Sequence, residues 1–336
     1  MVNLGYGRQW IDDDDIAAVV ETMKSDWLTQ GPKVRQFEEE FAQYVGAKYA
    51  VAVSSGTAAL HIACIASGMS NGELVVTTPL TFAATANAIR MAGAEPYFVD
   101  VDFDLNISLR RGSYIVPVDF AGLPCELETF SAPVVIEDAC HALGATYRGR
   151  KVGSISDMTC FSFHPVKHIT TGEGGMVTTN DVGYYQSLRQ LRDHGRENGE
   201  VSHLGFNYRM SDIQAALGIA QLKRLPDLLY RRREIARRYC AAFDMRFHEN
   251  HAYHLFVIQI DKRDDVRRKL DEVGIHCQIH YKPLHLHPFY GGKRGDYPNA
   301  EKYYDRCLTI PLFPKMANEE VEYVIESLKE AVYGAL

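Results

Sequence analysis

The sequence predicts an α/β protein: a mostly parallel central sheet with helices on both faces, then a smaller α+β unit toward the C-terminus. Three observations predict it. Short apolar runs of strand length alternate with longer stretches whose apolar residues recur at helical spacing. One such run, Tyr49 to Val53, passes through Ser54-Ser55-Gly56-Thr57 directly into a helical stretch. Another, Val134-Val135-Ile136, ends in two acids, Glu137 and Asp138, while Met158 to Phe163 leads to Lys167 and the glycine-rich turn Gly172-Glu173-Gly174-Gly175. Sheets of this class bind ligands beyond the carboxyl ends of their strands.

Taken in order, Asp12 to Asp15 open a helix from Ile16 to Lys24, with Ile16, Val19, Val20 and Met23 on one face. Four acids suit the positive end of the helix dipole and are expected in solvent. Trp27 to Gly31 interrupts, Val34 to Tyr44 resumes a helix, and Gly46 stops it. After the Tyr49–Val53 strand, Ser54 to Thr57 lead into a helix from Ala58 to Ala66. Free amides, hydroxyls and the dipole meet there, which suits an anion, although the same residues also cap ordinary helices. No Gly-Lys-Ser/Thr follows, so this is not a Walker loop.

Further strands are expected at Leu74–Pro79, Pro96–Asp100, Tyr114–Asp119, Val134–Asp138, Met158–Phe163 and Gly174–Asn180. Helices are expected from Thr81, carrying Phe82 and ended by Gly93, and over Tyr184–Arg192. Ser211 or Asp212 caps another, whose apolar face reads Ile213, Ala216, Leu217 and Ala220. Pro226 marks a break, which divides the chain into a large unit, 1–225, and a small one, 226–336. The Arg-rich helix Leu228–Phe243 connects them. Strands His254–Ile260 and Ile275–Tyr281 and helices Asp264–Val273 and Asn318–Ala331 complete the chain.

Composition narrows the function. The 336 residues are ample for a large core, and a net charge of −7 gives no reason to expect nucleic acid or an anionic membrane as partner. No apolar run approaches the roughly 20 residues of a spanning helix, and MVNLGYGRQW lacks a signal pattern. Seven scattered cysteines without a CxxC suit a reducing cytoplasm. Four histidines and a cysteine fall between His276 and Tyr290, but their spacing matches no zinc motif, and no metal is expected.

A lysine and an aspartate at strand ends match what pyridoxal phosphate needs: an amine to form a Schiff base with its aldehyde, and an acid to keep its ring nitrogen protonated. Lys167 and Asp138 are the candidates. A surface lysine and a capping aspartate are the bland alternative.

Five motifs decide between these readings: SSGTAALHIA, TPLTFAATANAI, VIEDACHALGA, SFHPVKHITTGEGGMVTTND and GFNYRMSDIQAALG, in that order. With them the chain resembles the DegT/StrS-type sugar aminotransferases, pyridoxal phosphate enzymes of fold type I, over nearly its whole length. The resemblance implies that Lys167 holds the cofactor and moves protons, that Asp138 pairs with the ring nitrogen, and that His141 contacts the ring hydroxyl side. It implies a stacking role for Phe82, a phosphate cradle of Gly56, Thr57 and Ser162, and an Asn207 that reaches the phosphate of a neighbouring subunit in a homodimer with shared sites. His280, Tyr281 and Lys282 would bind the sugar nucleotide. A branch of the family has histidine in the lysine's place and dehydrates its sugar; counted from Ser162, that slot here holds Lys167, with His168 next to it.

The resemblance is strongest to members acting in pseudaminic acid biosynthesis, which implies glutamate as amino donor and a UDP-linked 4-keto-6-deoxy sugar as acceptor. Another keto sugar nucleotide, or a pyridoxal-phosphate-binding regulatory protein without turnover, are the alternatives; a nicotinamide oxidoreductase lacks its GxGxxG. The segments 104–114 and 122–133 are shorter than the family pattern, so helices on one sheet face are expected to be missing or reduced.

Overall fold

The computed structural model describes residues 3–102, 104–109 and 111–334. Its central sheet has seven strands in the order Tyr49–Val53, Gly175–Thr179, Met158–Ser162, Val134–Asp138, Tyr114–Ile115, Leu74–Thr77, Glu95–Phe98. Gly175–Thr179 runs antiparallel to both its neighbours, and the remaining pairs are parallel. The mostly parallel sheet is as expected.

Side chains alternate between the two faces of a strand, and here each face has its own core. From Tyr49–Val53, Ala50 and Ala52 join one cluster with Phe37 and Phe41 of helix α2 (Pro32–Val45) and Ile219 and Leu222 of the long helix α6 (Asp212–Ala242). Val51 and Val53 join the other, with Leu60 and Ile62 of α3 (Gly56–Ala66) and Leu188 of α5 (Val182–Arg192). Phe161 and Cys160 divide between the clusters in the same way.

Helix α1 (Asp13–Met23) starts from a capping box formed by Asp12 and Asp15. Asp15 is not in solvent as expected: it is fully buried, with Oδ2 accepting from Gln221 and Arg224 of α6. The α1 acids therefore do more than favour the dipole, because one of them ties α1 to α6. Ser211 caps α6, and Asp212 instead accepts from the Gly31 and Lys33 amides at the start of α2.

Pro226 does not break the chain. Helix α6 runs through it for 31 residues. Leu222, Leu225, Leu228 and Leu229 all pack into one cluster on either side of it, and that burial outweighs the lost backbone bond. The buried face is also rotated from the expected one, centred on Ala215, Ile219 and Leu222. The position expected to separate two units thus lies inside one rigid element.

Beyond α6 the described residues form helices α7 (Arg263–Glu272), α8 (Pro298–Arg306) and α9 (Asn318–Tyr333), while α4 (Ala83–Met91) lies earlier, between the strands Leu74–Thr77 and Glu95–Phe98. Phe256–Gln259 pairs antiparallel with Cys307–Ile310. The strand expected over 275–281 is only Ile275–His276, and its partner is the amino-terminal pair Leu4–Gly5. Between Glu95–Phe98 and Val134–Asp138 no α-helix occurs among the described residues, only short 3₁₀ turns at Phe120–Gly122 and Leu127–Thr129. The reduction expected for this face is what the fold shows.

Strand Val134–Asp138 sends its last two acids to opposite faces. Glu137 is fully buried close to Asp119, and each of the two carboxyls has one buried oxygen without any other partner. The other Glu137 oxygen accepts from Thr159 at 2.8 Å and Ser156 at 3.3 Å, while Asp119 Oδ1 accepts from the Cys125 amide. Two carboxylates cannot face each other without a proton between them. Burial raises both groups, Asp119 well above the carboxylate range. Raised carboxyl groups contribute stability that is full below their unfolded values and is lost as pH rises through the folded ones. Glu137→Gln can donate an amide N–H to Asp119 in place of the shared proton. Urea unfolding at pH 6 and 9 should show a smaller loss at the higher pH for this variant than for the parent protein.

Candidate active site

A cavity of about 460 Å³ opens at the carboxyl ends of the parallel strands, closed on its far side by the C-terminal unit and the amino-terminal segment. Gly56, Thr57, Phe82, Asp138, His141, Ser162, Lys167, His280 and Tyr281 all line it. Asn207 and Lys282 do not: both are exposed and lie outside the cavity. Tyr6, Thr85, Cys140 and His254 also line it; Thr85 and Cys140 lie inside two of the five motifs without a signal of their own, and nothing in the local sequence marked Tyr6 and His254.

One end is built by the start of α3. Ser55 caps it by accepting from the Ala58 amide, and the first intrahelical bond is made by Ala59 to the Ser55 carbonyl. The amides of Gly56 and Thr57 precede that bond, so they are the pair that α3 leaves free for an anion. Glycine is required at 56. A Cβ there would lie 2.8 Å from Ser162 Cβ and 3.3 Å from Cys140 Sγ.

The other end holds the acid. Asp138 Oδ2 accepts from Thr85 Oγ1 at 2.7 Å, and Thr85 Oγ1 is in turn 2.7 Å from Thr81 Oγ1. Asp138 Oδ1 accepts from the Cys140 amide at 3.2 Å. The carboxylate is thus oriented by α4, whose cap is Phe82 rather than Thr81. That position leaves Phe82 60% exposed at the cavity mouth, with its ring 6.0 Å from Tyr281, so it is no core aromatic.

Lys167 follows strand Met158–Ser162 in an irregular turn and points at the same space. Burial pushes its amine below the ordinary lysine range, and the Cys140 thiol and Asp138 carboxylate oppose that shift. His141 Nε2 is 3.3 Å from the Tyr281 hydroxyl, while its Nδ1 is buried without a partner. Burial, then the Lys167 charge, hold this imidazole well below its ordinary value, so it is neutral.

The histidines between His276 and Tyr290 disperse. His276 pairs with Asp271, His280 Nδ1 meets the Thr309 hydroxyl at 2.8 Å, and His285 Nε2 meets Glu301 at 2.9 Å. Among the described residues no group of His, Cys, Asp and Glu is placed to hold a metal ion, and no helix is long and apolar enough to cross a membrane. A larger groove of about 630 Å³ runs beside α2 and α5, but Arg192 there is already paired with Glu38 and Arg209 with Asp193. The chemistry belongs to the smaller cavity.

These residues fit pyridoxal phosphate. Free helix amides beside Ser162 suit a phosphate, the oriented Asp138 suits a protonated ring nitrogen, and Lys167 suits an aldehyde. The unpartnered His141 Nδ1 leaves one buried polar atom for a ring substituent.

The chain is similar to two proteins of known sequence along almost all of their length. The Bacillus subtilis spore coat polysaccharide biosynthesis protein SpsC is 43% identical over 380 aligned residues, covering 99% of this chain and 98% of that one. Those 380 positions exceed this chain's 336 residues, so the relative carries segments absent here. The UDP-4-amino-4,6-dideoxy-N-acetyl-beta-L-altrosamine transaminase of Campylobacter jejuni is 37% identical, covering 96% of each chain. Among solved structures, Helicobacter pylori PseC, an aminotransferase of pseudaminic acid biosynthesis, superposes with a TM-score of 0.93 at 30% identity, over 99% of this chain and 100% of that one. The PLP-form of Streptococcus pneumoniae Spr1654, a sugar aminotransferase by its description, gives 0.92 at 30% identity, over 99% and 100%. The sequence pattern of the DegT/DnrJ/EryC1/StrS aminotransferases matches residues 9–329, and the chain belongs to that family of pyridoxal-phosphate-dependent enzymes.

Proposed function

We propose that the enzyme moves an amino group from glutamate to a nucleotide-linked 4-keto-6-deoxy sugar, with a UDP-linked acceptor of the pseudaminic acid type favoured. The observation that carries this reading is that Lys167 and Asp138 face one cavity from two neighbouring parallel strands. The substrate class rests on the relatives, one of which is by name a transaminase of a UDP-linked dideoxy amino sugar.

When bound, the cofactor draws electrons from the carbon that bears the amine and so makes that carbon's hydrogen acidic. Each residue then has a task. Gly56 and Thr57 amides and the Ser162 hydroxyl hold the phosphate, and Asp138, fixed by Thr85 and the Cys140 amide, keeps a proton on the ring nitrogen. Lys167 would hold the aldehyde through its Nζ. Its Nζ, whose proton affinity burial has reduced, then takes the α-proton of glutamate and, in the reverse half, gives one to the sugar carbon. His280 and Tyr281, beside Tyr6, form the wall on which the sugar nucleotide rests, with Lys282 outside it.

All seven cysteines are free thiols, which supports a cytoplasmic location. Asn207, exposed and outside its own cavity, is the residue we assign to the phosphate of a second copy in a homodimer.

Three variants test the reading. Lys167→Ala should lower steady-state amination of UDP-linked keto sugars by roughly 10³-fold or more, because tether and proton carrier are lost together. Covalent fixation of the cofactor by borohydride should be lost as well; appreciable turnover by the purified variant would remove Lys167 from its role. Asp138→Asn keeps the shape but does not favour a protonated ring, so a loss of roughly 10²-fold is expected with the fold intact. Rates near those of the parent at saturating cofactor would mean that another acid holds the ring.

Asn207→Ala should weaken cofactor retention. Heterodimers of Asn207→Ala with Lys167→Ala should then regain activity over the Asn207→Ala parent, since one of their two sites combines neither lesion. Verified heterodimers with no gain over a clearly impaired parent would refute a shared site.

A further inference from the structure

Arg232 is among the largest fully buried side chains of the protein, at 1% exposure; no carboxylate among the described residues pairs with it, and of its nitrogens the two Nη are used while the buried Nε has no partner. A guanidinium in such a place is costly unless its donors are used. It sits near the middle of α6, where the helix passes between the large unit and the C-terminal one. Nη2 donates to the Lys167 carbonyl at 3.4 Å. Nη1 donates to the carbonyls of Tyr253 at 3.3 Å, His254 at 3.5 Å and Leu312 at 3.2 Å. One planar fork is therefore shared by the backbone of the cavity lysine and by three carbonyls of the C-terminal part.

We infer that Arg232 is a positioning residue for the transfer reaction, holding the Lys167 backbone and the cavity wall at His254 in fixed relation across the junction of the two parts. The inference rests on Lys167 being the lysine that tethers the cofactor.

Three further observations give this clamp its purpose. First, what it holds on the C-terminal side is part of the site. His254 is buried, lines the cavity, and has its ring 4.4 Å from that of His141, with its Nδ1 unpartnered. A shift of His254 would therefore be felt at His141 and, through it, at Tyr281.

Second, the backbone it holds is one that needs holding. Tyr253 has φ +50, a left-handed conformation that a bulky side chain adopts only under constraint. Its amide is also fixed, donating to His251 Nδ1 at 2.7 Å.

Third, there is no slack. A void of about 10 Å³ bounded by Lys167, His168, Gln221 and Arg232 is at the lower limit for one water, so the guanidinium itself nearly fills the space beside the carbonyls it serves. Burial lowers the Arg232 value to about 10, so the fork stays charged at neutral pH and keeps its charge-assisted bonds.

A lysine at 232 keeps the charge but has one compact ammonium, which cannot span both parts. A methionine fills similar volume and donates nothing. The test compares Arg232→Lys and Arg232→Met with the parent holoenzyme by kcat and KM for glutamate and a UDP-linked keto sugar, by visible circular dichroism of the bound cofactor, and by melting temperature. Both variants should lose kcat by about ten-fold or more with KM changed less than about three-fold, the pattern of a misplaced reacting group. Both should also alter the visible dichroism at full cofactor occupancy.

Folded variants with parental kcat and dichroism and only a lowered melting temperature would overturn the inference, leaving Arg232 a packing residue. If Arg232→Met does not fold, Arg232→Lys alone decides by the same two readouts. The tether itself is checked separately by borohydride reduction of the loaded proteins, which must fix the cofactor covalently to the parent and not to Lys167→Ala; a parent that takes up no covalent label condemns the functional reading and not the clamp.

Discussion

The parallel pairing of Val134–Asp138 with Met158–Ser162 is the contact on which the site depends. Ile136 lies opposite Met158, Glu137 opposite Thr159 and Asp138 opposite Cys160. A slip of one residue would exchange the faces of Glu137 and Asp138. The acid oriented by Thr85 would then enter the packed interior, and the acid sharing a proton with Asp119 would enter the cavity. The register is held by burial on both sides: Ile136 and Cys160 in one core, Phe161 in the other. Lys167 inherits its place from the same pairing, since it follows the second strand by only a few residues.

How much of this is legible in the sequence follows from how far apart the cooperating residues lie. Asp138 and Lys167 sit in local patterns, an acid ending an apolar run and a lysine between a strand and a glycine-rich turn, His141 and Ser162 were marked by the family resemblance, and the cavity gathers all four. Thr85, Tyr6 and His254 carry no such signal. Thr85 acts through a hydrogen bond to a residue 53 positions away, and His254 looks like any histidine ahead of an apolar run. The buried Asp15 was hidden for the same reason, since the Gln221 it meets lies 206 positions on. Pro226 misled because a local rule was set against a packing energy that only the assembled helix reveals.

The family's chemistry is retained on a reduced frame. Between Glu95–Phe98 and Val134–Asp138 this chain covers the sheet with Val99, Ile107 and Phe130 and with short turns. The cavity still draws its walls from strand ends, α3, α4 and the C-terminal part, and the short stretch supports them from behind, through Gly122, whose carbonyl accepts from the Ala252 amide, and through Leu105, which packs with Tyr6 and Tyr281. Thickness of the shell and completeness of the site are separate properties in this fold.

The pairing of Leu4–Gly5 with Ile275–His276 bears on how the molecule comes into being. Tyr6 is fixed by that strand and by the Leu312 amide, which donates to its carbonyl. On a ribosome the segment around Tyr6 must therefore wait for residues that lie far along the chain. The central sheet can assemble while synthesis continues, but the cavity has its wall at Tyr6 only after residue 312 has left the exit tunnel. A nascent chain of this protein holds a finished scaffold well before it holds a finished enzyme.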